Sequence, residues 1–102
     1  MKIISLDASA WETGLDFYAA ILPELGAPDG HGKNLNAIVE SMIWGEINKL
    51  KPPYKVEIFN TEGRPQDVLD EIRAIADFFA ESRAEFRERK GRDAQVSFTI
   101  VS

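Results

Sequence analysis

A chain of 102 residues, 44% apolar and 28% charged, has the size and mix of one soluble domain spanning 1–102, with enough apolar mass for its own core. It has no cysteine and one histidine, which excludes disulfides, thiolate metal sites and a multi-histidine zinc site. The net charge of -5 is weighted toward the start, with five acids against one base in residues 1–30, which disfavours direct nucleic-acid binding and either attracts a basic partner or only aids solubility.

The opening Met1 to Asp7 carries too short an apolar run for a signal peptide, and no stretch approaches the roughly 18 apolar residues of a membrane helix. A cytoplasmic location with no membrane association is the expectation. Residues 2–6 predict a short strand, with Ser9 or Asp7 as the cap of a following helix. Trp11, Leu15, Tyr18, Leu22 and Leu25 step by four and three, a helical stripe, and Pro23 ends or kinks that helix. Residues 26–33 form a loop by their glycine and proline content.

Asn34 is a natural N-cap for a second helix, which Gly45 ends or which runs to about Leu50. Pro52 and Pro53 stop anything helical. Residues 54–58 alternate apolar and polar, predicting a strand with one buried face; Phe59 interrupts the alternation. Pro65 opens a third helical region in which Val68, Ile72, Ile75, Phe79 and Phe86 keep phase, as one helix or two, with Gly91 as its stop. Gln95 to Val101 closes the chain as a strand. Helical crossovers between strands imply a parallel sheet, and the alternation in the later strands implies two layers, helices on one face and solvent on the other.

Chemistry is sparse. A serine triad would have to use His31, and no G-x-S-x-G elbow is present. The loop Asp29-Gly30-His31-Gly32-Lys33-Asn34 has the wrong glycine spacing for a phosphate loop and follows a helix rather than a strand, so it reads as a turn and a cap. The acids of the third helix interleave with arginines as a solvated face. The chain is therefore expected to be no enzyme, with no catalytic residue, metal or cofactor.

The second helix is the informative element. At 100° per residue, Leu35, Ile38, Val39 and Met42 form one face, while Asn36, Glu40, Ile43, Trp44 and Ile47 form the opposite one. A helix on a two-layer sheet should have a polar outer face. Either another helix covers these apolar residues, or Gly45 resets the phase, or the face is open to a partner.

Residues 30–42, Gly-His-Gly-Lys-Asn-Leu-Asn-Ala-Ile-Val-Glu-Ser-Met, resemble the signature of the barstar family, inhibitors of ribonucleases of the barnase type. Gly32, Asn34, Leu35 and Ala37 match as they stand, and Ile38 and Met42 are like-for-like. The Pro-Pro-Tyr lead into the second strand and the Phe-Thr-Ile-Val-Ser ending are compatible, and the region 64–90 is similar to that of the wider family. The resemblance implies an α/β, two-layer barstar-like fold: a three-stranded parallel sheet in order 1-2-3 with helices packed on one face. It implies an intracellular inhibitor whose 29–34 loop and following helix enter a basic ribonuclease cleft and set carboxylates where substrate phosphates would lie. The partner would be an extracellular-type or toxin ribonuclease. The family's anchoring aspartate falls on Glu40, the aspartate one turn earlier on Asn36, the paired loop aromatics on Gly30 and His31, and the helix tryptophan on Val39. The resemblance together with the outer face of the second helix gives the expected partner-binding set His31, Asn34, Asn36, Val39, Glu40, Ile43 and Trp44, with Asn34 weighed as a cap before a contact and Trp44 equally as core. A non-inhibitory protein–protein interaction domain on the same fold is the alternative. A monomer is expected, with a dimer through exposed apolar residues as the alternative.

Overall fold

Strand alternation and helix phase decide how this chain buries its apolar residues. The computed structural model describes residues 1–45 and 47–101; Glu46, in the stretch where the second helix was expected to end, and the last position, Ser102, lie outside the described residues. Strands β1 (Lys2–Asp7), β2 (Tyr54–Phe59) and β3 (Val96–Ile100) form a parallel sheet in the order β1-β2-β3. Between them run α1 (Leu15–Leu25), α2 (Leu35–Val39), which continues as a π-helical turn over Glu40–Trp44, and α3 (Gln66–Lys90).

The register sets Ile4 beside Val56 and Val56 beside Phe98, then Leu6 beside Ile58 and Ile58 beside Ile100. Because side chains alternate along a strand, this puts one apolar row under the helices. Ile4, Leu6, Tyr54, Val56, Ile58 and Val96 are all buried there. The opposite row, with Ser5, Glu57 and Thr99 aligned across the sheet, faces outward and ranges from half-buried to exposed. Phe59 stands on that outer row, half-buried.

The first helix begins later than its stripe implied. Asp7 does not cap it: its Oδ1 accepts from the Ser9 amide at 2.9 Å and from Asn60 Nδ2 at 3.1 Å, closing the turn after β1. Nor does Ser9 cap it, since α1 starts at Leu15, where Asp16 Oδ2 accepts from the amides of Glu12 and Thr13 at 2.7 and 3.1 Å. Those two bonds hold the Asp16 carboxyl below the ordinary carboxylate range. The buried face is consequently Phe17, Tyr18, Ile21 and Leu25, and Leu15, placed on the core stripe by its spacing, is 61% exposed. Phe17 is the hub of the aromatic core, edge-on to Trp11, Tyr18 and Phe98 at 6.0, 5.2 and 5.8 Å between centroids. Pro23 sits inside α1 without ending it; Gly26, at φ 64°, does so in the left-handed region that suits glycine.

The third helical region is one helix of 25 residues. Pro65 stands at its N-cap, Arg87, Arg89 and Lys90 complement its C-terminal dipole, and Gly91 caps it at φ 71°. Its buried positions are Val68, Ile72, Ile75, Phe79, Ser82 and Phe86, the stripe read from sequence with Ser82 added. Tyr18 Oη donates to Glu71 at 2.5 Å, tying α3 to α1. Arg83 holds Asp93 with two bonds of 2.8 and 2.6 Å, tying α3 to the lead into β3.

Candidate partner-binding surface

The loop and short helix between α1 and β2 project from the sheet as a clasp. Asn34 is extended, at φ -152°, and its side-chain Oδ1 accepts from the Ala37 amide at 2.9 Å. That bond satisfies one of the amide donors left open at a helix start. Asn34 is thus the cap of α2.

His31 fixes the preceding loop to the same element. Its Nδ1 lies 2.7 Å from the Gly32 carbonyl oxygen, which can only accept, so Nδ1 carries a proton. Its Nε2 lies 2.8 Å from Ser41 Oγ. Ser41 Oγ in turn lies 3.2 Å from the Ile38 carbonyl and receives Asn48 Nδ2 at 3.2 Å. Both ring nitrogens are thus tied by hydrogen bonds, one to the loop and one to the helix. Ser41 is 6% exposed, and His31 turns its second nitrogen to a backbone carbonyl rather than a carboxylate, so the pair lacks the orienting acid of a triad. Among the described residues no group of three His, Asp or Glu is placed to hold a metal ion.

From Glu40 the helix widens into a π turn, closed by the Gly45 amide donating to the Glu40 carbonyl at 2.8 Å. Such turns insert one residue and rotate everything after it; they recur at functional sites. The face read from a uniform 100° step is corrected here. Val39 and Ile43, both expected in the binding set, are 1% and 6% exposed and belong to the core, with Val39 also forming part of the groove between α2 and α3. Val39 belongs to the inner stripe in any case, and the π turn swings Ile43 in beside Met42. Trp44 is half-buried because α3 covers it: Phe86 meets it edge-on at 5.1 Å and Arg89 lies over its ring at 5.7 Å. The helix thus ends at Trp44, short of Leu50. Ile47, beyond it, is 58% exposed.

Two hollows flank this clasp. One, about 320 Å³, is a groove between α2 and α3 whose walls include Asn36, Val39, Glu40, Trp44, Phe78, Glu85 and Arg89. The other, about 640 Å³, lies under the loop and includes Asp29, His31, Asn34, Asn36, Glu40 and Ile47 in its walls. Asn36 and Glu40 border both, so they stand on the ridge between them, and both are exposed. The loop-side hollow has Asp29 and Glu40 in its wall and no lysine or arginine among the described residues. In the groove, Arg89 is bound to Glu85 at 2.7 Å, and no salt bridge to Glu40 is formed among the described residues.

The model of the barstar (barnase inhibitor) family matches residues 1–101, essentially the whole chain. The chain belongs to the barstar family. A comparison with curated proteins found no match. Of the seven residues expected from the sequence, six (His31, Asn34, Asn36, Val39, Glu40 and Trp44) line the two hollows, and Ile43 does not. The far wall of the groove, Phe78, Glu85 and Arg89, was not foreseen. Glu85 and Arg89 read as a solvated i,i+4 pair, and Phe78 fell one place off the apolar stripe beside Phe79. That doubled phenylalanine was the signal that α3 has a second, half-buried edge.

Proposed function

We propose that this barstar-family protein is a non-catalytic, cytosolic ribonuclease inhibitor, acting as a single domain that plugs a basic nuclease cleft with the 29–34 loop and α2. The observation that carries this reading is that Glu40, which the resemblance aligns with the family's anchoring aspartate, is exposed on the ridge between two hollows, one of them with no described lysine or arginine in its wall. An isolated carboxylate on a convex ridge fits a cleft lined with Arg or Lys, and a charge desolvated by such a fit gains its full pairing strength. Asn36 adds a hydrogen-bonding group one turn earlier. His31 and Trp44 contribute fixed walls rather than mobile contacts, each already held by its own partners. Asn34 acts through α2, by capping it. The acidic weighting of residues 1–30 favours encounter with a basic partner, steering of the kind for which barnase and barstar are the type example.

The test is to retain proteins from the source cell on immobilised wild-type chain and on Glu40→Ala, and to assay both eluates for RNA cleavage. A small basic ribonuclease in the wild-type eluate alone supports both inhibition and the anchor. Recovery of a non-nucleolytic partner alone would replace the proposal with an interaction domain on the same fold.

A further inference from the structure

The sheet ends at β1 on one side and β3 on the other, and the two free edges differ. The Ala8 amide donates to the Phe59 carbonyl at 2.9 Å, and backbone groups alternate sides along a strand. Ile4 and Leu6 therefore bond to β2, while the N–H and C=O of Ile3, Ser5 and Asp7 point away from the sheet. All three residues are exposed, Ile3 at 49%. At the other edge the Val101 amide donates to the Ile58 carbonyl, so Val96, Phe98 and Ile100 turn their backbone outward. Val96 is 1% exposed and the other two are half-buried, so that edge is shielded. The β1 edge is the open one. Natural edge strands are commonly blunted by proline, a bulge or a covering element. β1 has no proline and follows β2 residue for residue from Lys2 to Asp7.

We propose that β1 pairs with β1 of a second copy of this chain, antiparallel about a two-fold axis at Ser5, joining two sheets into one. The strand is self-complementary in this register. Ser5 exchanges backbone bonds with Ser5 of the second copy, and Ile3 with Asp7, so every outward-pointing residue of the strand meets another of its kind. An axis at Ile4 would leave Asp7 without a partner inside the strand. On the helix side Ile4 falls opposite Leu6, which continues the buried apolar row across the junction. On the solvent side the small Ser5 side chain occupies the axis. Lys2 falls opposite Ala8 and Asp7 opposite Ile3, so no like charges are set face to face. The pairing is closed: only the shielded β3 edges are left outside it, so assembly stops at two copies. β1 lines neither of the hollows beside Glu40, so the dimer presents two clasps and forms whether or not a nuclease binds.

The experiment is sedimentation equilibrium with amide hydrogen exchange, on the wild type, Ser5→Pro and Ser5→Lys, at low and high protein concentration and at low and high salt. Ser5→Pro removes the outward N–H at the axis and spares the ladder to β2, since proline is tolerated on edge strands. Ser5→Lys sets two lysines against each other on the solvent side and leaves the backbone alone, and thermal melting verifies the fold of both. The expected result is a reversible dimer with a dissociation constant of about 100 μM, weakened at least about tenfold in each variant. Each copy carries a net charge of -5, so raising the salt tightens the dimer by screening their repulsion. The amides of Ile3, Ser5 and Asp7 become protected as concentration rises, whereas those of Ile4 and Leu6 are protected throughout. A monomer at about 1 mM, ten times that constant, would overturn the proposal. So would a dimer unchanged by the folded variants, or protection gained at Phe98 and Ile100 in place of Ile3, Ser5 and Asp7.

Discussion

Asn34 and Asp93 show how single side chains hold the elements that present the candidate surface. Asn34→Ala removes the acceptor for the Ala37 amide and is expected to cost about 1 kcal/mol of stability, while Asn34→Asp keeps the cap and costs much less. Urea unfolding of the two variants checks this. A loss confined to partner affinity, with stability unchanged, would show Asn34 to be a contact instead. Asp93 lies below the ordinary carboxylate range, chiefly because of its bidentate bond to Arg83, and Asp7 and Asp16 are lowered by backbone donors. A carboxyl that binds its proton less readily when folded stabilises the fold above its unfolded value of 3.8, and that contribution is lost as pH falls below it. Stability is therefore expected to be level through neutral pH and to decline below about pH 4, less steeply in Asp93→Asn, which has already lost the Arg83 pair. Denaturant midpoints measured from pH 7 to pH 2 test both the sign and the variant.

At the scale of elements, the π turn separates what the sequence made legible from what it did not. Helix phase could be counted from Leu35 to Val39, where 100° per residue holds. One inserted residue after Glu40 then carries Ile43 into the core, and no local residue type announces that insertion. The same limit applied to α1, whose stripe was counted from Trp11 although the helix begins at Leu15; Phe17, the hub of the aromatic core, was passed over. Where a cap or stop was chemically explicit, at Asn34, Gly26 and Gly91, the boundary was readable. The π turn makes a pair of predictions. Ile43→Ala should destabilise the protein by about 2–4 kcal/mol, as for a buried aliphatic residue, and Ile47→Ala by less than about 0.5 kcal/mol. Similar losses at the two positions in thermal or urea unfolding would contradict the rotated face.

For the whole molecule, alternation in β2 and β3 dictated a sheet with one covered face, and the strand order followed from the family resemblance, since crossover helices alone fix handedness and not order. The surface was less legible than the fold. His31, Asn34, Asn36, Glu40 and Trp44 come from one continuous segment and could be named together, whereas Phe78, Glu85 and Arg89 reach the same groove only because a single unbroken α3 runs past it. Tertiary proximity over some forty residues leaves no local pattern to read. The central claim is that Glu40 anchors a plug in a ribonuclease cleft. It is tested most directly by titrating a basic barnase-type ribonuclease with the wild type and with Glu40→Ala while following RNA cleavage. The account predicts one-to-one, substrate-competitive inhibition, weakened at least about thirtyfold by Glu40→Ala, the scale of interface hot spots in general, among which barnase–barstar is a standard example. Undiminished cleavage at excess protein, or equal inhibition by the variant, would contradict it.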